Sequence, residues 1–349
     1  MNTKKLKGNL LLLLTAFIWG TAFAFQKSGG YIGAFTYNGV RTLLGAAFLV
    51  PVIFILDRVK KSKKGASNTD ASTISDGAAN ANAMAKNDAS TISDALASSQ
   101  EKKPLTSRQA LLRGGLFCGI AMFLGSNLQQ IGLALIPAGK SGFITSIYSV
   151  LVPIFALFLG KKVRPILWFC LALAMAGMYL LCMTAGAGGL SLGDLVTLLC
   201  AVAFAFQIMI VDHYAPLTDP VKLSCLQFFV GGALSIPFML IFEVPSAAKI
   251  LAVLPSLLYT GIMSTGVAYT LQIIGQRDAD PTEATLILCM ESVFSVLGGA
   301  VLLHEVMKGS QYAGCLLIFS AVVLSNLPDA FLHRFLPKRA ARRDNRGKD

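Results

Sequence analysis

Between residues 8 and 327, apolar runs of about twenty residues alternate with short polar connectors. A helix rising about 1.5 Å per residue crosses a hydrocarbon layer roughly 30 Å thick in such a run. Ten spans are expected, near 10–25, 35–56, 110–133, 139–159, 165–183, 192–211, 221–242, 250–274, 282–303 and 311–327. A Gly-rich turn at 28–30 separates the first two, and polar connectors at 160–164, 213–219 and 276–281 separate later ones. Lys4, Lys5 and Lys7 before Leu10 mimic a signal peptide. The apolar run continues through Trp19 to Phe25 with no clear cleavage signal, so it reads as a retained first helix.

One stretch breaks the pattern. Residues 58–104 are rich in Ser, Ala, Asn, Asp and Lys, and the string DASTISD occurs twice in the region, at 70–76 and 88–94. Such a segment buries too little apolar surface to offset the entropy of ordering, and a disordered cytoplasmic loop is expected. The duplication reads as slippage in a tolerant insertion.

Composition agrees with the spans. The chain is 54% hydrophobic and 14% charged, against about 25% charged in a soluble domain. A net charge of +12 raises the question of nucleic acid, but the location of the charges answers it. With the N-terminus inside, every Lys and Arg falls on the cytoplasmic side except Lys27, Lys140, Lys249 and Lys308, with Arg41 inside a span. That is the positive-inside pattern of a cell-membrane protein with both termini cytoplasmic, including a basic tail at 331–349. Nucleic acid is not an expected partner. The seven cysteines stand singly in apolar runs, and their odd number excludes a complete intrachain disulfide framework. They read as small buried hydrophobes.

The two halves repeat one another. The string at 22–26 recurs at 203–207, 45–51 aligns with 231–237, and 137–162 aligns with 281–306. The second match sets Arg41 opposite Gln227. A repeat of five spans is odd, so the second copy must lie upside down. The expected fold is therefore an all-α polytopic membrane protein of ten transmembrane helices in two inverted five-helix repeats, 1–57 with 105–184, and 190–330. That architecture encloses a midplane site in secondary transporters.

Glu291, near the middle of the ninth span, is the leading candidate for chemistry. A charge at bilayer depth costs at least about 2.5 kcal/mol and normally faces protein or a water-filled cavity. The carboxylate reads as facing a substrate pathway, where taking up and releasing a proton would couple transport to the proton gradient. The plain alternative is a Glu that glues two helices by hydrogen bonds. Arg41 lies about two turns from the outer end of its helix. Snorkelling outward, pairing with Glu291 and meeting a substrate carboxylate all stay open for it. Trp19, Tyr148, Tyr269, Asn127, Gln129, Gln130, Gln207 and Gln272 supply polar edges for a mainly apolar cavity, or else bond neighbouring helices. Tyr148 stands out, being nearly repeat-equivalent to Glu291. Gly115 with Gly119, and Ala172 with Ala176, read as small-residue faces for close packing. The string 134–141 fits a loose nucleotide-cradle pattern but straddles a turn between two apolar spans, where no strand can precede it. The three histidines lie at span ends or in tails, and no metal or other cofactor is expected.

Three of these features, TAFIWGTAF at 15–23, the Arg early in the second span, and MESVFSVLGGAVLLHE at 290–305, together resemble the EamA-like group of the drug/metabolite transporter superfamily. The resemblance covers roughly 8–57 and 105–330. It implies a ten-helix inner-membrane permease for small metabolites, commonly exporting amino acids or drugs. The expected assembly in the bilayer is a monomer or a homodimer. Ser292 stands where Pro is usual, which argues against a kinked ninth helix. Gly160-Lys161-Lys162 stands where a Glu corresponding to Glu305 is often found, which argues against a symmetrical pair of gating carboxylates. Two other classes compete with a carrier. An enzyme acting on lipid needs clustered His, Asp and Glu at one membrane face, and none is seen. A sensor or scaffold working through 58–104 is separable by deleting that loop, which transport should survive.

Overall fold

The computed structural model describes residues 3–71, 106–136, 138–182, 191–277, 279–302 and 308–327. Among them there are helices and turns and no strand. Helix α1 (Thr3–Gly29) leads through a 3-10 turn, Gly30–Ile32, into α2 (Ala34–Ala71). Gly33 makes that corner at φ +97°, a conformation open to glycine without strain.

The expected loop 58–104 requires a correction at its start. Helix α2 runs on to Ala71; the Arg- and Lys-rich residues 58–64 keep good helix propensity beyond the apolar run, whereas Gly65, Ser67, Asn68 and Thr69 are weak helix formers. The rest of that loop, the basic tail, Glu305, His304 and His333 lie outside the described residues.

Helix α3 (Ser107–Leu135) opens on a capping box of Thr106 and Gln109. The fourth apolar run is divided into α4 (Ala138–Thr145) and α5 (Tyr148–Phe158), and α6 (Pro165–Cys182) follows. Helix α7 (Leu192–Tyr214) starts with a Ser191–Asp194 capping box, and α8 (Pro220–Phe242) with Asp219 and a proline at its first position. The eighth run is built of α9 (Ala247–Ala252), α10 (Leu254–Leu258), a π-helix (Tyr259–Tyr269) and α11 (Thr270–Gln276). The ninth is α12 (Pro281–Leu288) and α13 (Met290–Leu302), and α14 (Gly309–Ser325) completes the described chain.

Six of these segments are long and apolar enough to cross a membrane: Ala34–Val59, Ser107–Leu135, Ser141–Phe158, Leu192–Leu217, Pro220–Phe242 and Leu254–Gln276. Pro165–Leu180 and Gly309–Ser325 are shorter apolar helices. Large apolar side chains such as Phe54, Phe169, Phe229 and Phe319 are exposed on the outside, the surface a hydrocarbon solvent would cover.

Packing pairs α3 with α7 and α8, α2 with α8 and the π-helix, α6 with α14, and α1 with α13 and with the α10–α11 run. Helices α4 and α5 lie on α7. Close approach follows small residues. A Cβ on Gly115 would strike the Leu226 side chain and one on Gly119 the Val230 side chain, so the expected small face of α3 packs on α8. The other small face is a correction: Ala172 and Ala176 are exposed. Helix α6 instead turns Gly177 towards the Gly314 carbonyl of α14, 2.7 Å from where a Cβ would sit. Of the cysteines, Cys118, Cys170, Cys200 and Cys289 are buried and free, and Cys225 and Cys315 are half-buried and free.

Polar ties mark one end of the bundle. Glu283 is buried and meets Lys5 at 2.6 Å and Arg164 at 2.5 Å, and Arg164 also donates to the Ser325 carbonyl at 2.6 Å. Lys161 pairs with Asp212, and Lys222 with Asp57 at 2.8 Å. At the far end of α8, Glu243 accepts from the backbone N–H of Phe35 (2.9 Å), the N–H of Thr36 (2.7 Å) and the Thr36 hydroxyl (2.7 Å), holding the start of α2. Helix α12 depends on its cap. Asp280 Oδ1 accepts from Thr282 N at 2.9 Å and Glu283 N at 3.4 Å. Asp280→Ala should lower stability by about 1 kcal/mol, read as a lower unfolding midpoint in detergent, and Asp280→Asn should restore most of it. A full loss in the Asn variant would contradict the cap.

Candidate functional site

The site is a cavity between the two halves of the chain, with about 700 Å³ of empty space counting its mouth. Helix α1 contributes Trp19, Ala22 and Gln26, α2 Arg41, and α3 Gln129. The α4–α5 pair brings Gly142, Thr145, Ser146 and Tyr148, and α7 brings Phe204, Gln207 and Ile208. Ser264, Tyr269 and Gln272 come from the eighth run, and Leu288, Glu291 and Ser292 from the ninth. The lining is thus mixed, with apolar walls and a ring of amide and hydroxyl groups.

Two helix breaks face this space. At the first, Ile147 N bonds Ile144 O at 3.1 Å and Val150 N bonds Ile147 O at 2.9 Å, tight turns where an α-helix would reach one residue further. At the second, Ser292 N bonds Cys289 O at 3.2 Å. The ninth run is therefore interrupted at Cys289, against the uninterrupted helix expected from Ser292, and without a proline at the break. Glu291 sits in the first turn after it.

The aromatic wall is held from behind. Trp19 Nε1 donates to the Ser264 carbonyl at 3.2 Å, and Thr15, one turn earlier on α1, donates to the Ala268 carbonyl at 3.1 Å. Both acceptors belong to the π-helix, so α1 is fastened to that wide-wound stretch. The Trp19 ring lies 4.6 Å from that of Tyr269, and Tyr269 meets Phe228 edge-on at 6.0 Å.

Of the expected pathway residues, Glu291, Arg41, Tyr148, Trp19, Tyr269 and Gln207 share this cavity, together with Gln129 and Gln272. Asn127 and Gln130 do not. Asn127 is turned towards α2 and α8, accepting from Asn38 Nδ2 at 3.2 Å and donating to the Phe123 carbonyl at 2.8 Å. Gln130 accepts from Gln26 Nε2 at 2.8 Å and so positions a lining residue from behind. Arg41 is 3% exposed, which excludes the snorkelled placement. No carboxylate among the described residues, Glu291 included, comes within ion-pairing distance of it. The nucleotide-cradle string runs from the end of α3 into α4, with a helix and not a strand before it, so it is not a P-loop.

With this geometry in hand, relatives are informative. The model of the EamA-like transporter family matches residues 6–74, 89–183 and 191–327. The chain belongs to that family. This EamA-like chain is 30% identical to an uncharacterized transporter of Archaeoglobus fulgidus over 93% of its own length and 87% of the relative's. It is 25% identical to the uncharacterized transporter YvbV of Bacillus subtilis over 92% of each. A solved structure described only as "Crystal structure of protein" superposes with a TM-score of 0.67 at 17% identity, over 93% of this chain and 98% of its own, a likeness of fold alone. The EamA-like chain is a multi-pass membrane transporter.

Several lining residues of this transporter escape a reading by residue type. Gln26 was legible in principle, because the repeat sets it opposite Gln207. Thr145, Ser146, Ser264 and Ser292 were not, since short hydroxyl side chains in apolar helices usually bond their own backbone, as Ser146 does to Gly142 O at 2.7 Å.

Proposed function

We propose that the protein is a secondary carrier of small metabolites, amino acids or drug-like solutes among them, built as two inverted five-helix repeats. The cavity is its substrate site, exposed alternately to either side of the cell membrane. One observation carries this reading. The two interrupted helices break at Ser146–Ile147 and at Cys289, points one residue apart in the internal alignment of the two halves, and both breaks face the same cavity. Discontinuous helices at corresponding points of two halves are where carriers hold their cargo.

The packing supports it. Counted as ten passes by joining the helices across their breaks, the main packed pairs exchange when the first five are swapped with the last five. The second pass lies on the seventh and the fifth on the tenth. The third on the sixth is matched by the eighth on the first, and the first on the ninth by the sixth on the fourth. With both termini cytoplasmic, the ion pairs of Glu283, Asp212 and Asp57 all fall on the cytoplasmic side and hold that side shut.

In this reading Glu291 carries the coupling proton. Liposomes holding the purified protein, loaded with a small-molecule cell extract, should release a subset of solutes that protein-free liposomes retain. An imposed proton gradient should accelerate that release. Glu291→Gln should remove the acceleration, a loss of tenfold or more, and leave downhill exchange. Undiminished acceleration rules out the proton role, and absence of any release rules out the carrier.

A further inference from the structure

Among the described residues, Arg41 and Glu291 stand apart from the other buried or half-buried charges, since neither has an ion-pair or hydrogen-bond partner for its charged group. Glu283 has two cations, Asp57 and Asp212 one each, and Glu243 three donors. Arg41 is 3% exposed and its Nε has no acceptor. Its guanidinium lies 5.9 Å from the centroid of the Tyr37 ring, a contact that offsets only part of the loss of water around a cation. A guanidinium does not escape by deprotonating, and this one borders the cavity.

An uncompensated buried cation persists in a fold when a partner arrives from elsewhere. Glu291 lines the same space without pairing to it. We infer that Arg41 is the anion subsite of the cavity, and that the transported solute presents a carboxylate to its planar fork. The inference rests on the carrier reading and narrows its cargo to solutes bearing a negative group. Carboxylate is favoured over a phosphate ester by charge. No second cation lines the described cavity, whereas a dianionic phosphate calls for more than one. The amides of Gln26 and Gln129, which share the lining, bring polarity without charge.

The test uses the same extract-loaded liposomes, with released solutes identified by mass spectrometry for the wild type, Arg41→Lys and Arg41→Gln. Size-exclusion profiles and unfolding midpoints check that each variant folds. The wild type should release carboxylates. Arg41→Gln should slow that release at least tenfold, and Arg41→Lys, which keeps a point charge but loses the fork, should retain part of it. Release of solutes without an anionic group, preference for phosphate esters, or Arg41→Gln flux within twofold of the wild type would overturn the assignment. Solute identities from the wild type decide the matter even if Arg41→Gln fails to fold. No release from any form defeats the carrier reading itself, an outcome distinct from release of the wrong class.

Discussion

Gly20→Val should leave almost no folded protein in detergent, and Gly20→Ala should fold with a lower unfolding midpoint and slowed transport. A Cβ at Gly20 would lie 2.7 Å from the Glu291 carbonyl oxygen, 2.7 Å from Phe294 Cβ and 2.9 Å from the Ser295 N. Two of these atoms are backbone and cannot swing away as a long side chain would. Helices α1 and α13 must then separate along much of their contact. Overpacking of a close interface costs about 1–3 kcal/mol, and a branched side chain against a helix backbone belongs at or beyond the upper end. The position is informative because the obstruction bears on the carbonyl of Glu291 itself. The alanine variant should therefore lose more transport than its drop in stability explains. Unfolding midpoints and flux measured on the same preparations check this. A Gly20→Val protein that purifies and melts like the wild type would show that α1 and α13 do not meet there.

The second large effect is expected at the ion cluster, and it is asymmetric. Arg164→Met should cost about 2–3 kcal/mol, because it leaves the buried Glu283 with Lys5 alone and orphans the Ser325 carbonyl. Glu283→Gln should cost less, about 1 kcal/mol, since the cations it abandons reach water, with Arg164 29% and Lys5 36% exposed. The double variant Arg164→Met with Glu283→Gln should be more stable than Arg164→Met alone, because the stranded charge has gone. Unfolding of the three variants in detergent settles the order. A double variant no better than Arg164→Met would mean that the cost lies in lost packing and not in a stranded carboxylate.

The helices were largely legible because lipid-facing segments advertise themselves by composition over a whole run. The breaks were not. The stretch Ser146-Ile147 and the residue Cys289 carry neither proline nor glycine, and Pro153 sits inside α5, so nothing local marks where the helix parts. The absence of proline at Ser292 argued the wrong way, since the interruption answers to what surrounds it in the bundle. Glu291 and Arg41 were visible as charges out of place, but the isolation of Arg41 depends on which side chains do not reach it. Gln129 and Gln130 show the same limit. Neighbours on a helix point about 100° apart, so one faces the cavity and the other stands behind it. Hydropathy does not report the rotation of α3 that decides between them. The TAFIWGTAF string was recognisable as a pattern, yet its physical content needed the fold: Thr15 and Trp19 reach the carbonyls of the π-helix, and Gly20 lets α13 come close.

Helices α2 and α8 are fastened at opposite tips, by Glu243 at one and by Lys222 with Asp57 at the other. A strut pinned at each extremity resists shear along its length. Any swing that carries the vestibule from one face of the bilayer to the other must leave this member standing as a spindle and turn the fractured helices around it.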